Sequence, residues 1–347
     1  MKNRFLNALC CNKVDRPPVW FMRQAGRYLS EYRLLRFKSG NFFELCYSSE
    51  LIALATLQPL KRYDLDAVII FSDILLLPAY MGLNLKFVDN FGPIFLNPVR
   101  NINDIKLLND IFPSKDFNFL LKAIKIIVYE LNDVIPLLGF SGTPWTLAVY
   151  MIEGKITKNF SYIKKFLYTN SSVLHILLKK LEINIVSYLC AQIDFGVKVL
   201  VLFDTWGGIL TPFNYKIFSL NYVINIINQV NLYKKIPFIF FGRNINNFII
   251  EELKSGNLSL DAIGFDWSLN LDTIVKNIPN NIVIQGNLDP SVLYGDHLFI
   301  IKEINNIMKI CYNRNGYIFN LGHGIYPDID PYSLELIINT IDRYKNF

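Results

Sequence analysis

The chain has 347 residues, of which 52% are hydrophobic and 18% charged, so it can build a large core and shows no signature of disorder. The net charge is +6, and the basic residues are interspersed with acidic ones. This mixture argues against nucleic-acid binding, whereas a modest positive charge would suit a small polyanionic substrate. The most apolar windows, Ala67–Leu83 and Val134–Tyr150, are interrupted by polar residues, Gly or Pro. Neither reaches the roughly 18 residues that a membrane helix needs, so we expect no membrane partner.

The glycines do not have the spacing of a nucleotide-binding motif, and the cysteines and histidines do not have the spacing of a metal site. Neither G-x-G-x-x-G nor G-x-x-x-x-G-K-[ST] occurs, so no nicotinamide, flavin or nucleotide cofactor is predicted. The start of the chain carries no visible targeting signal, so we expect a cytoplasmic protein with free thiols. The cysteines and histidines form no metal motif, and we predict no metal; they are Cys10, Cys11, Cys46, Cys190, Cys311, His175, His297 and His323.

Eight short apolar runs, rich in β-branched and aromatic residues, are predicted to be strands. They are Val19–Met22, Ala67–Phe71, Ile135–Phe140, Val199–Phe203, Pro237–Phe241, Ala262–Phe265, Ile282–Gln285 and Tyr317–Leu321. Because strands that are apolar throughout need cover on both faces, this pattern is typical of a parallel sheet lying between helices.

Helical patterns occur between these runs and after the last one. They are Phe43–Arg62, Ile102–Leu131 with breaks, Asn159–Phe195, Pro212–Tyr233, Asn244–Leu253, Leu271–Lys276, Asp296–Asn313 and Tyr332–Tyr344. The alternating segment Leu83–Leu96 predicts a hairpin over the mouth of the sheet, with Asp89 and Asn90 at its tip. Eight strand–helix units favour a single-domain (β/α)₈ barrel over residues 1–347, with a doubly wound open sheet as the alternative.

An unusual cluster of arginines follows the first predicted strand. Arg23, Arg27, Arg33 and Arg36 occur within fourteen residues, and Gly26 between them would let the backbone approach a ligand closely. Arginine is suited to bidentate recognition of carboxylate or phosphate. The segment therefore predicts an anion site at the mouth of the barrel, and the alternative is an ordinary solvated helix start.

A single carboxylate, Asp73, lies in the apolar segment after the second predicted strand. An unpaired ion in such surroundings is costly, so it needs a cation, hydrogen-bond donors or a proton. If neighbouring strand ends meet, Asp73 and Arg23 face the same cavity as an acid–base or charge-stabilising pair. The alternative is a helix N-cap at Ser72 or Asp73.

Two further segments carry polar groups toward the same end of the barrel. SGTPWTLAVYMIEG, residues 141–154, combines a Gly-Thr-Pro turn with Trp145 and Tyr150 ahead of the next helix. The Tyr150 hydroxyl could orient a carboxylate or donate a proton, whereas Trp145 is favoured as core packing. His323 stands between two glycines after the last strand, which favours ligand binding over packing; the alternative is a loop histidine that caps a helix.

Six motifs in this order span nearly the whole chain: MRQAGRY (22–28), FSDIL (71–75), GFSGTPWTLAVYMIEG (139–154), FDTWGG (203–208), QGNLDP (285–290) and NLGHGIYPD (320–328). Together they resemble the uroporphyrinogen decarboxylase family. The resemblance implies a (β/α)₈ barrel without cofactor that decarboxylates the four acetates of uroporphyrinogen III, giving coproporphyrinogen III on the haem route. It also implies a homodimer whose active-site mouths face each other.

The resemblance implies site residues at matching positions of this chain. Substrate carboxylates are assigned to Arg23, Arg27 and Arg36, and Asp73 is expected to accept the pyrrole N–H groups beneath the macrocycle. Catalytic roles are predicted for Asp73, Arg23 and Tyr150, and the proton donor is left open among Arg23, Tyr150 and a water held by either. Tyr150 is also expected to line the substrate site. The remaining predicted substrate-binding residues are Gln24, Ala25, Gly26, Phe71, Phe203, Thr205 and His323.

The chain departs from the family pattern at Ser30, at Ala79–Tyr80 and at the fifth-strand ending, residues 241–244. There Arg243 either adds a carboxylate contact or faces solvent. One competing interpretation is a barrel methyltransferase with a zinc site, for which Cys311 and His323 provide too few ligands. A second is a non-catalytic module that binds nucleic acid or carries a porphyrin.

Overall fold

The computed structural model describes residues 3–88, 92–256, 258, 260–311 and 313–345. Its main sheet has seven parallel strands in the order β1-β4-β5-β6-β7-β8-β9, and β2 and β3 form a separate antiparallel pair. The strands are β1 (Val68–Ile69), β2 (Leu85–Val88), β3 (Gly92–Phe95), β4 (Leu137–Gly142), β5 (Val199–Asp204), β6 (Phe238–Gly242), β7 (Ala262–Gly264), β8 (Val283–Gln285) and β9 (Tyr317–Ile318).

The segment around Val19 joins the two edges of this sheet. Val19 forms a parallel bridge with Phe319, whose N–H donates to Pro18 O at 2.9 Å. On the other side, Asp66 N–H donates to Val19 O at 2.9 Å, and Asp66 Oδ2 accepts Val19 N–H at 2.7 Å. The predicted (β/α)₈ barrel is therefore confirmed, and the Val19 segment takes the place of its first strand.

Seventeen α-helices are described. They are α1 (Arg4–Leu9), α2 (Ser30–Lys38), α3 (Phe42–Tyr47), α4 (Ser49–Leu57), α5 (Leu76–Tyr80), α6 (Ile102–Lys106), α7 (Pro113–Asp116), α8 (Asn118–Leu131), α9 (Pro144–Glu153), α10 (Ser161–Thr169), α11 (Ser171–Asp194), α12 (Pro212–Tyr215), α13 (Asn221–Tyr233), α14 (Asn246–Lys254), α15 (Leu271–Asn277), α16 (His297–Cys311) and α17 (Pro331–Asp342). A π-helical turn, Lys216–Leu220, joins α12 to α13.

Two predicted helices are each divided in the structure. Ser48 interrupts the predicted helix Phe43–Arg62 in an extended conformation, and its hydroxyl accepts the Leu51 N–H that begins α4. Asn170 divides the predicted helix Asn159–Phe195 into α10 and α11. In both cases a polar residue ends one helix and precedes the next, and at Ser48 the side chain also accepts a backbone N–H of the new helix.

Helix α9 replaces part of what the sequence predicted to be a turn. Thr143 Oγ1 accepts the Thr146 N–H at 3.2 Å, Pro144 occupies the first helical position, and Gly154 ends the helix with φ 78°. These are standard start and stop signals, so Tyr150 lies within a helix and not ahead of one. A rigid helix thus carries Tyr150 to the end of β4.

The predicted hairpin Leu83–Leu96 is present as β2 and β3, although its predicted tip at Asp89 and Asn90 lies outside the described residues. Phe87 of β2 packs against Phe42 of α3 with ring centroids 4.4 Å apart, and Phe42 contacts Phe71, which follows β1. The hairpin is therefore joined to the barrel mouth by a row of aromatic rings.

Candidate active site

Arg23 lies at the mouth of the barrel, where the first predicted strand ends. Its φ of 63° is left-handed, a conformation that costs a non-glycine residue about 1–2 kcal/mol. Gln24 N–H donates to Phe21 O at 3.1 Å, which closes a tight turn. A Cβ placed on Gly324 would lie 2.4 Å from Arg23 Cδ. The side chain of Arg23 therefore lies across Gly324, next to His323.

Two of the other predicted arginines have guanidinium groups that no described residue engages in a hydrogen bond or ion pair. Within the described part of the chain, Arg27 and Arg36 donate no side-chain hydrogen bond and form no ion pair. Arg36 lies on α2 with its guanidinium carbon 5.7 Å from the ring centroid of Phe42. Arg33 instead donates from Nη1 to Arg27 O at 2.7 Å and to Tyr28 O at 3.0 Å, so it supports the loop backbone.

Tyr32, on α2, is affected by the positive charges of two arginines and by the negative charge of Asp73. Burial raises the pKa of Tyr32 to about 12, the positive charges of Arg36 and Arg27 act to lower it, and the negative charge of Asp73 raises it. The charges of Arg27, Arg36 and Asp73 therefore all act on the Tyr32 hydroxyl.

Asp73 follows β1, and its two carboxylate oxygens differ in their contacts. Its Oδ1 accepts the Leu75 N–H at 2.8 Å, which caps the turn leading into α5. Burial raises the pKa of Asp73 above its usual value, while the Leu75 N–H and the positive charge of Arg23 act to lower it. Oδ2 accepts no hydrogen bond from any described residue. One oxygen is thus structural and the other can meet a ligand.

Tyr150 lies within electrostatic reach of both Asp73 and Arg23. Burial raises the pKa of Tyr150, the charge of Asp73 raises it further, and the Trp206 side chain and the charge of Arg23 lower it. The ring of Trp206 meets the Tyr150 ring edge-on at 6.0 Å. Because the pKa lies above 10, Tyr150 carries its proton at neutral pH and can act as a hydrogen-bond donor.

His323 is a neutral histidine whose pKa is affected by two arginine charges. Its ring lies 6.2 Å from that of Phe241 at the end of β6. Burial and the positive charges of Arg23 and Arg243 lower the pKa of His323 to about 4, against a smaller opposing effect of Asp266. At physiological pH the imidazole therefore has one donor and one acceptor nitrogen.

The predicted aromatic residues form parts of the wall. Phe203, at the end of β5, lies between Phe140 at 5.7 Å and Phe241 at 6.2 Å. Phe71 contacts Tyr32 at 5.6 Å on the α2 side. Both rings are partly exposed, so they present apolar surface to the cavity. Such surface suits the flat apolar body of an aromatic ring system.

The other predicted binding residues differ in their access to the mouth. Thr205, Ala25 and Gly26 are partly exposed. Gln24 is only 1% exposed, and its side-chain nitrogen has no hydrogen-bond partner among the described residues. The structure therefore places Gln24 in the interior behind Arg23, where the Tyr28 hydroxyl donates to its carbonyl at 2.8 Å.

The placement of the metal-binding side chains and the length of the apolar helices bear on the zinc-site alternative and on the question of a membrane span. No three His, Cys, Asp or Glu side chains of those ranges come together as a metal site. Cys311 is buried in α16, and its pKa is raised strongly by burial. No helix within those ranges combines the length and apolarity needed to cross a membrane.

Comparison with known proteins supplies the family. The family model described as uroporphyrinogen decarboxylase (URO-D) matches residues 1–344. The chain belongs to the uroporphyrinogen decarboxylase family. Two relatives named uroporphyrinogen decarboxylase are similar over almost their full length. The protein of Wigglesworthia glossinidia brevipalpis is 47% identical over 97% of this chain and 94% of its own. That of Pseudoalteromonas translucida is 42% identical over 99% and 98%.

Solved structures support the fold of this decarboxylase family member. A methyltransferase from Methanosarcina mazei superposes with a TM-score of 0.80 at 17% identity, covering 99% of this chain and 98% of the other. A B12-independent methionine synthase from Shewanella sp. W3-18-1 gives 0.52 at 8% identity, covering 86% of each chain. At these identities the likeness concerns the fold alone.

Asp204 is a polar residue of this decarboxylase family member for which the sequence predicted no role. It is fully buried at the end of β5 and accepts hydroxyl hydrogen bonds from Thr143 and Thr146, both at 2.8 Å, and from Ser219 at 2.6 Å. Burial raises its pKa, and these hydroxyls act to lower it. Because side chains alternate along a strand, Asp204 points away from the face that carries Phe203 and Thr205. It therefore fixes the strand end against α9, and the FDTW string was its only sequence signal.

Proposed function

We propose that this chain decarboxylates uroporphyrinogen III, converting its four acetate side chains to methyl groups and yielding coproporphyrinogen III for haem biosynthesis. The family and its named relatives support the reaction. The site is supported by one observation above all. The partly buried carboxylate of Asp73 has one oxygen that accepts no hydrogen bond from the described residues, in a mouth lined by arginines, a protonated tyrosine and a neutral histidine.

The arginines suit a substrate that carries many carboxylates. Arg27 and Arg36 have no ion-pair partner among the described residues, and Arg23 is exposed. Each charge-assisted hydrogen bond to a carboxylate contributes about 1.5–3 kcal/mol. Neutral His323 adds one donor without adding repulsion between cations.

Asp73 is proposed to stabilise the positive charge that develops during the reaction. A proton adds to the pyrrole carbon next to the acetate, and the ring becomes cationic. The carboxylate then leaves as carbon dioxide, and its bonding electron pair moves into the ring. A proton adds to the exocyclic carbon to form the methyl group, and the ring proton is lost. Each decarboxylation therefore consumes one proton. The fixed negative charge of Asp73 faces the cationic ring and stabilises it.

The proton donor is proposed to be Tyr150 or a water molecule that Tyr150 and Arg23 hold. Guanidinium is a poor acid at neutral pH, which disfavours direct transfer from Arg23. Tyr150 retains its proton because burial and the charge of Asp73 raise its pKa. Helix α9 and the Asp204 hydroxyl bonds fix the position of this residue relative to β5.

The proposal includes a homodimeric, cytoplasmic protein that folds as one domain over residues 1–347. Support for the dimer comes from α2, which carries Arg36 near the mouth. On that helix Leu34 is 53% exposed and Phe37 83% exposed. Large apolar side chains so placed favour cover by a second copy at the rim. Light scattering on the wild type and on Phe37→Ser tests this, and a wild-type monomer contradicts it.

The deciding experiment is an anaerobic turnover assay with uroporphyrinogen III. We expect four molecules of carbon dioxide and one of coproporphyrinogen per substrate, at the same rate with and without a chelator. Absence of product from folded protein contradicts the proposal. Activity that disappears with chelator and returns with zinc would favour the methyltransferase-like alternative.

A further inference from the structure

The positive charges around the mouth are unevenly distributed. Arg23, Arg27 and Arg36 all follow the Val19 segment, which is the first strand position of the barrel. In the order of the closed barrel, β6 lies four strands from this segment in either direction. The segments after β5 to β8, residues 205–211, 243–245, 265–270 and 286–296, contain one basic residue, Arg243. Arg243 therefore supplies the cationic charge of the opposite half of the mouth.

The Arg243 guanidinium has no counter-ion among the residues that the structure describes. Its backbone N–H donates to Asp204 O at 3.2 Å, but its side chain forms no ion pair or hydrogen bond with any described residue. The nearby Asp266 carboxylate is occupied by other donors. It accepts from Asn246 Nδ2 and Ser268 N–H, both at 2.8 Å, and from Asn244 N–H. Asp204 is likewise enclosed by three hydroxyls.

Arg243 is oriented toward the same cavity as Arg23. The two residues before it are Phe241, whose ring contacts His323 at 6.2 Å, and Gly242. Arg23 lies across Gly324, the residue after His323. The pKa of His323 is lowered by both guanidinium charges. Two arginines that follow opposite strand positions of the barrel therefore both act on this imidazole.

We propose that Arg243 binds a non-reacting carboxylate of the tetrapyrrole, on the side of the mouth opposite Arg23. This inference rests on the proposed function and assigns a further specificity residue to it. Uroporphyrinogen carries carboxylates around its whole circumference, so a macrocycle that lies over Asp73 extends some of them toward Arg23 and others toward β6. A contact that is the same in ground state and transition state lowers KM without changing kcat.

Arg243→Gln tests the inference, with Lys235→Gln as the matched control. Lys235 is an exposed cation at the opposite end of the same strand, so the control removes an equal charge away from the mouth. In Arg243→Gln we expect KM to rise about 10- to 100-fold while kcat stays within about twofold. Arg243→Lys should lie between the two. Equal KM values in Arg243→Gln and Lys235→Gln, or a loss confined to kcat, overturn the inference.

A substrate-free measurement separates this inference from the proposed function. Arg243→Gln should raise the pKa of His323 in an NMR titration, whereas Lys235→Gln should leave it unchanged. An unchanged pKa in Arg243→Gln would show that the guanidinium does not face the cavity and would overturn the inference. Failure of the wild type to decarboxylate would instead overturn the proposed function. Arg243→Met keeps the aliphatic stem and takes the place of the glutamine variant if that variant does not fold.

Discussion

Replacing Asp73 by asparagine separates the charge of this residue from its structural bond. In Asp73→Asn the side-chain amide oxygen can still accept the Leu75 N–H that Asp73 accepts at 2.8 Å, so the turn before α5 should persist. The substitution removes the negative charge facing the developing cation and places an NH2 donor where the free oxygen was. Fixed groups that stabilise transition-state charge contribute about 2.7–4 kcal/mol. We therefore expect turnover of uroporphyrinogen to fall by about 10²–10³.

The same substitution should increase the stability of the substrate-free protein. Burial raises the pKa of Asp73 in the folded state, so its ionised form destabilises the fold at pH values above that pKa. The Tm of Asp73→Asn should exceed that of the wild type near pH 8. The difference should vanish below the unfolded pKa of about 3.9, where both side chains are neutral. Asp73→Ala, which loses the Leu75 bond, should instead be less stable than Asp73→Asn by about 1 kcal/mol.

The assay combines coproporphyrinogen formation with thermal melts followed by circular dichroism. A folded Asp73→Asn protein that retains more than about a third of wild-type turnover would refute the electrostatic role. A lower Tm for Asp73→Asn near pH 8 would refute the claim that burial dominates the energetics of this carboxylate. If Asp73 only capped the turn before α5, Asp73→Asn would not both lose activity and gain stability.

Arg23→Ala and Arg27→Ala should each lower kcat/KM by roughly 10- to 150-fold, since each removes a charge-assisted bond of about 1.5–3 kcal/mol. Unchanged kinetic constants would mean that the residue faces solvent and does not bind substrate. The NMR titration of His323 should give a pKa near 4, so kcat/KM should show no inflection from this imidazole between pH 6 and 8. An inflection there that disappears in His323→Gln would contradict this. Gly324→Ala should fold but lose activity, because its Cβ would overlap the Arg23 stem; full activity would show that Arg23 can move at no cost.

The barrel could be predicted from the sequence because its strands are short and apolar throughout. The prediction Val199–Phe203 differs from β5 by one residue, and Pro237–Phe241 differs from β6 by one residue at each end. The first predicted strand, Val19–Met22, is a single bridge at Val19. Pro18 has no N–H to donate, and the left-handed turn at Arg23 ends the extended conformation, so little of the run can pair.

The candidate site was predicted less completely than the fold. Arg23, Asp73, Tyr150 and His323 each follow a strand position, and the charge of Arg23 acts on the other three. Their roles at a substrate site stay predictions. The enclosure of Asp204 was not foreseen, because two of its hydroxyl partners come from the start of α9, about sixty positions earlier in the chain. Local patterns predict that a residue follows a strand, but they do not predict which distant side chain it contacts.

The join at Val19 has a consequence for synthesis on the ribosome. Met22 N–H donates to Asn320 Oδ1 at 3.2 Å across a separation of 298 residues, and Ile325 N–H donates to Met22 O at 3.1 Å. At roughly 5–20 residues per second, the nascent chain carries Met22 for about 15–60 s before these partners are made. The turn that orients Arg23 is therefore among the last parts of the molecule to be fixed. A chain that ends before Asn320 lacks the hydrogen bonds that hold Met22, and so Arg23 is not held in position at the barrel mouth.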